Sequence, residues 1–168
     1  MTGNKQRHMR WRTPLAWLLA LCFIGDVQAS ENSSVSRQDA EAFFRQYQSV
    51  LAEQATDRLT ALIAEDAELR IALQQPDNEP DQLFTLPRHR FVQHRRTLWH
   101  FGREVRQQFD TPRYTPQPDG TLMLQVTETE RHRLFGQDTG QRNEITLTLG
   151  RRDGDIVILT LHSNSQLW

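Results

Sequence analysis

The sequence predicts an α+β domain in which helices come first and an antiparallel sheet follows. Two patterns carry that reading: apolar residues recur at three- and four-residue spacing from Ala40 to Phe109, and they alternate with polar ones from Leu122 onward. A third observation supports it. Pro112, Pro116, Pro118, Asp119-Gly120 and Asp153-Gly154 punctuate the second half, where hairpin turns between strands are expected.

The domain is expected to occupy residues 36–168. Ahead of it, Lys5, Arg7, Arg10 and Arg12 run into an uncharged stretch from Pro14 to Ile24, and Val27-Gln28-Ala29 places small residues before Ser30. This is the layout of a secretory signal peptide over 1–29, cut after Ala29, with no membrane span left after cleavage. Lys5 is the only lysine, and the Arg-only remainder fits a GC-rich bacterial genome, so the expected destination is the periplasm. Residues 30–35 read as a flexible linker.

Ser36-Arg-Gln-Asp39 reads as a capping box opening a first helix. Ala40, Phe43, Phe44, Tyr47, Val50 and Leu51 share one face of it, and it ends near Gln54. Thr56-Asp57 starts a shorter helix reaching Glu65-Asp66, and Leu69, Ile71 and Leu73 mark a short strand. The prolines and acids of 75–82 indicate a loop. Thr85 and Pro87 open the longest helix, whose stripe Phe91, Leu98, Phe101, Val105 and Phe109 is flanked by Val92 and Trp99. Leu122, Leu124 and Val126 begin a long strand, 136–143 is a hairpin loop, and Ile145, Leu147 and Leu149 form the next strand. The last strand, Ile156 to Leu161, is apolar on both faces, so it should be covered twice. Ile156 and Ile158 lie opposite Val157, Leu159 and Leu161 by alternation, which suggests an apolar face buried in a homodimer.

Composition excludes several functions. The chain has 20 basic and 21 acidic residues, and losing the basic leader makes the remainder more acidic, which argues against general nucleic-acid binding. Cys22 is the only cysteine and sits in the leader, so neither a disulfide nor a thiol nucleophile is expected in the exported part. His89, His94 and His100 are five and six residues apart, which does not stack two imidazoles on one helix face, and there is no HExxH. No G-x-S-x-G elbow or glycine-rich phosphate loop is present, so neither metal nor cofactor is implied.

The uninterrupted run from Tyr47 through Gln-Ser-Val-Leu-Ala-Glu-Gln-Ala-Thr-Asp-Arg-Leu-Thr-Ala-Leu-Ile-Ala-Glu-Asp-Ala-Glu to Leu69 resembles the opening of ketosteroid isomerases and SnoaL-like proteins. The hairpin from Leu147 to His162 is similar to their closing strands. The resemblance implies the nuclear transport factor 2 like, or cystatin-like, cone: a curved antiparallel sheet wrapped around three N-terminal helices. It also implies a catalytic constellation that can be checked by position. Tyr47 matches the tyrosine that holds the oxyanion, but Ile71 stands where the carboxylate base would be, and the second acid falls near Thr146, with Glu144 reached only by shifting register. An alkyl group cannot take a proton, so no catalytic residue is assigned.

The pocket candidates are Tyr47, Trp99, Glu128 and Glu130. The two glutamates continue the inward face of Leu122, Leu124 and Val126; a strand that has outrun its core would leave them wet, and desolvation would raise their pKa. The long helix carries Arg88, Arg95, Arg96 and Arg103 as anion- or partner-binding candidates, since guanidinium forks suit carboxylate and phosphate. A solvated helix face is the plain reading of that run. The function expected is that of an exported, non-enzymatic cone domain binding a small apolar or anionic ligand or a periplasmic protein partner. The alternatives are a SnoaL-like isomerase, hydrolase or dehydratase using Glu128 or Glu130 with Tyr47, and an inhibitor or immunity-type protein docking through the cationic helix.

Overall fold

A computed structural model describes residues 34–74, 81–134 and 136–168, so the expected signal peptide and most of the linker lie outside the described residues. The chain folds in the order α1 (Arg37–Ala52), α2 (Thr56–Ala61), β1 (Ile63–Gln74), β2 (Gln82–Leu86), α3 (Arg88–Phe101), β3 (Arg103–Phe109), β4 (Arg113–Pro116), β5 (Leu122–Leu134), β6 (Gln137–Arg152) and β7 (Asp155–Leu167). Helix α1 starts with the reciprocal cap expected from sequence. Ser36 Oγ accepts from Asp39 N at 3.1 Å, and Asp39 accepts from Ser36 N at 3.2 Å. Val35, expected in the linker, is buried and donates its N–H to the Gly120 carbonyl at 2.9 Å.

All seven strands form one curved sheet, ordered β2-β1-β7-β6-β5-β3, with β4 also pairing to β5. The sheet is mixed rather than purely antiparallel: β1 runs parallel to β7, with α3 and five strands intervening before the chain returns beside β1. The buried faces of α1 and α3, with Leu59 of α2, meet one sheet face, where Leu69, Leu122, Leu124, Leu147, Leu149 and Ile158 are completely or almost completely buried. Phe44 packs edge-on against Phe109 at 5.6 Å between ring centroids, tying α1 to β3.

Further expectations about the elements are corrected, among them the 136–143 loop, which is strand from Gln137. The long helix ends at Phe101, and Gly102 leaves it with extended backbone, so Arg103 to Phe109 is a strand. Val105 and Phe109 are four residues apart, a spacing that satisfies both a helical turn and a two-residue alternation. Strand β1 starts at Ile63, well before Leu69, so α2 ends at Ala61 instead of reaching Glu65-Asp66. In β7 a bulge falls between the pairs Leu149–Ile158 and Thr148–Thr160, so Leu159 is the extra residue. That bulge turns Ile158 into the core at 0% exposure, and the apolar face that suggested a homodimer loses its main residue. Gly150 accommodates the bulge, since a Cβ there would lie 2.5 Å from Leu159 Cδ1.

Candidate functional site

Strand alternation carries Glu128 and Glu130 inward below Val126, and both are buried, at 0% and 1% exposure, not wet. What makes this possible is Arg95, which α3 places on its core-facing side. Its Nη1 donates to Glu130 Oε2 at 3.0 Å and its Nη2 lies 3.5 Å from Glu128 Oε1. Three amides complete the network. Gln107 donates to Glu128 Oε1 at 3.1 Å, Asn143 to Glu128 Oε2 at 2.9 Å, and Gln141 to Glu130 Oε2 at 2.7 Å. Sequence reading missed all three, having placed Gln107 on a helix and the other two in a loop. The signal was the β5–β6 register: once Leu124 faces Leu147, Asn143 must face Glu128 and Gln141 must face Glu130.

Burial alone would pull the Arg95 guanidinium down, but Glu128 and Glu130 hold it above the ordinary arginine range. Burial likewise raises the Glu128 carboxyl above the usual carboxylate range, with Arg95 pulling the other way and Glu130 adding to the rise. The Tyr47 hydroxyl, carried in by α1, is pushed up to about 12 by burial against the pull of Arg95. A tyrosine so placed keeps its proton at neutral pH.

These groups border a cavity of about 70 Å³. Its polar wall includes Tyr47, His94, Arg95, Glu128, Asn143 and Ser165, and Ile71, Phe91, Leu98 and Leu161 contribute apolar surface. One polar atom there has no partner among the described residues: Asn143 Oδ1, on the same amide whose nitrogen donates to Glu128 Oε2. Ile71 lines the same cavity, so an alkyl group faces it where the resemblance implied a base. Thr146 and Glu144 lie beside an open depression with Gln125 and Thr127, and Glu144 is exposed; neither is among the residues bordering the cavity.

The remaining candidates separate. Glu130 is not among the residues bordering the cavity, being held by Arg95 and Gln141. Trp99 is core, and it borders a different, open groove with Arg96, Gln93 and Phe101. Arg88 donates to the Ile63 carbonyl at 3.2 Å, a contact that joins α3 to β1. Arg96 is exposed, and Arg103 opens β3 instead of extending the helix; its side chain lies outside the described part. Arg95, expected as an anion- or partner-binding residue, is buried, borders the cavity and is paired with two internal carboxylates. Among the described residues no group of His, Cys, Asp and Glu is arranged to hold a metal ion, and no helix is long and apolar enough to cross a membrane.

Solved structures with this arrangement include a candidate scytalone dehydratase from Novosphingobium aromaticivorans, with a TM-score of 0.61 at 16% identity over 75% of this chain and 80% of that one. A protein of cystatin-like fold from Caulobacter vibrioides matches with a TM-score of 0.59 at 15% identity over 75% and 86% of the two chains. The chain has the nuclear transport factor 2 like cone fold. A hexachlorocyclohexane dehydrochlorinase, LinA type 2, shares the cone with a TM-score of 0.57 at 16% identity, over 77% of this chain and 86% of that one. No family model and no curated protein sequence matches the chain. At these identities the likeness concerns the cone itself, and the chemistry has to be read from the residues inside it.

Proposed function

We propose that the chain is an exported, non-enzymatic cone domain that binds a small molecule end-first in this cavity, with the buried end a neutral or cationic hydrogen-bond donor such as a hydroxyl, amide or amine. The observation that carries the reading is Asn143 Oδ1, a buried acceptor left open beside carboxylates that are already engaged. A buried unpaired acceptor costs about 1–3 kcal/mol, which a donor from a ligand recovers. An anionic end is disfavoured, since two carboxylates share one guanidinium. The cavity offers room for a few non-hydrogen atoms, about two waters' worth, so only the tip of a larger ligand enters.

The same contacts weigh against proton abstraction. Glu128 already accepts from three donors, two at Oε1 and one at Oε2, which leaves it little lone-pair capacity for a proton from substrate. One observation favours the rival reading, a SnoaL-like isomerase, hydrolase or dehydratase: Tyr47 and Glu128 border one cavity, and the carboxyl is raised. The neighbours that include a dehydratase candidate and a dehydrochlorinase keep that rival in view.

Native mass spectrometry of protein purified from its own producing cell tests the proposal. It should show a chain beginning at Ser30 with a small-molecule adduct that is lost in Asn143→Leu. A chain retaining residues 1–29 removes the export claim. An adduct unaffected by Asn143→Leu, or none in either protein, removes the binding claim.

A further inference from the structure

A second site lies at the far end of the sheet, on the face away from the cavity. Arg106 on β3 pairs in register with Arg131 on β5, Arg131 with Gly140 on β6, and Gly140 exchanges two backbone hydrogen bonds, of 3.1 and 3.0 Å, with Trp168 at the end of β7. These residues alternate with the inward-facing Gln107, Glu130 and Gln141, so they point outward. Gly140 admits the aromatic ring: a Cβ there would lie 2.5 Å from Trp168 Cε2 and Nε1, so the indole covers the glycine beside Arg131. Two arginines directly opposite each other repel. Neither Arg106 nor Arg131 makes an ion pair or side-chain hydrogen bond among the described residues; the acid nearby, Asp138, is 90% exposed and lies 3.6 Å from Arg133 instead. Arg106, Arg131, Arg133, His132 and Trp168, with Asp138 beside Arg133, border a groove of about 460 Å³, the size of small-molecule sites.

We propose that this groove binds a planar aromatic phosphate monoester. The ring stacks on the Trp168 indole, and the phosphate bridges the Arg106 and Arg131 forks, whose two unpaired charges match a group of about −2 and whose repulsion it removes. The site is independent of the cavity.

Calorimetry with phenyl phosphate on the purified protein tests this, with inorganic phosphate and benzoate as partial ligands. Phenyl phosphate should bind saturably and about tenfold or more tighter than either, since each lacks the ring or the second charge. Arg131→Ala and Arg106→Ala should each weaken it about tenfold, and Trp168→Ala should lower it to the level of inorganic phosphate. Asn143→Leu should leave it unchanged. All three groove residues are exposed or at the chain's edge, and an unchanged thermal midpoint verifies that each variant is folded. Absence of saturable binding, equal binding by Arg131→Ala, or equal affinity for benzoate overturns the proposal.

Discussion

Replacing Arg95 with methionine is expected to cost far more than removing a helix-surface arginine. Arg95 is 7% exposed, and its partners Glu128 and Glu130 are 0% and 1% exposed. Without it Glu128 keeps Gln107 and Asn143, and Glu130 keeps Gln141, so both carboxylates retain amide donors but lose their counter-charge. Removing one partner of such a buried set costs about 3–5 kcal/mol. For a domain of this size each kcal/mol lowers the thermal midpoint by roughly 3–5 °C, so a fall of about 10–20 °C is expected. Urea unfolding at neutral pH gives the free energy if the m-value is unchanged. The loss should shrink as pH falls and the carboxylates take up protons. Adding Glu128→Gln and Glu130→Gln to the methionine variant should restore most of the stability, since an all-neutral core has no charge left to strand. A loss below about 1 kcal/mol, the range of exposed pairs, would refute the buried-network account.

Further outcomes follow from single contacts. Glu128 has a folded pKa above its unfolded value of about 4.5. The folded state therefore holds the proton more tightly, so this group's contribution is full below that value and is lost as pH rises through the folded pKa. Thermal midpoints of Glu128→Gln should lack that component of the pH profile; an identical profile contradicts the assignment. Ser36→Ala removes the acceptor for Asp39 N and should cost about 1 kcal/mol by chemical denaturation, whereas no change would mean the cap is redundant. Leu149→Ala empties a fully buried position on β6 and should cost about 2–5 kcal/mol in the same assay. Gly150→Ala drives a methyl into Leu159, so it should destabilise more than a surface substitution, and a neutral result would mean the bulge relaxes freely.

Much of the fold was legible because the signals that specify it are local. The Ser36–Asp39 cap and the α1 stripe through Tyr47 and Leu51 were read from neighbouring residues. The alternation from Leu122 to Val126 carried correctly into Glu128 and Glu130. Their burial was not legible, because it depends on Arg95, separated from them by 33 and 35 residues and on another element. The end of α3 was misplaced for a different reason: Val105 and Phe109 fit two periodicities, and only Gly102 separates the helix from β3. The orientation of Ile158 depends on a bulge opposite Gly150, which alternation counted along one strand cannot register. Within the site, Tyr47 and Glu128 were named from sequence, while Asn143, Gln141 and Gln107 required the strand pairing.

The central claim is that the cone holds a closed charge network with one open acceptor, built to bind rather than to abstract a proton. A crystal structure of the protein with the molecule it retains from its own cell tests this most directly. The account predicts a donor atom about 3 Å from Asn143 Oδ1, with Glu128 still held by Gln107, Asn143 and Arg95. An anionic group seated on Arg95 with Glu128 displaced, or a Glu128 oxygen freed and aimed at a carbon-bound proton of the ligand, would contradict it.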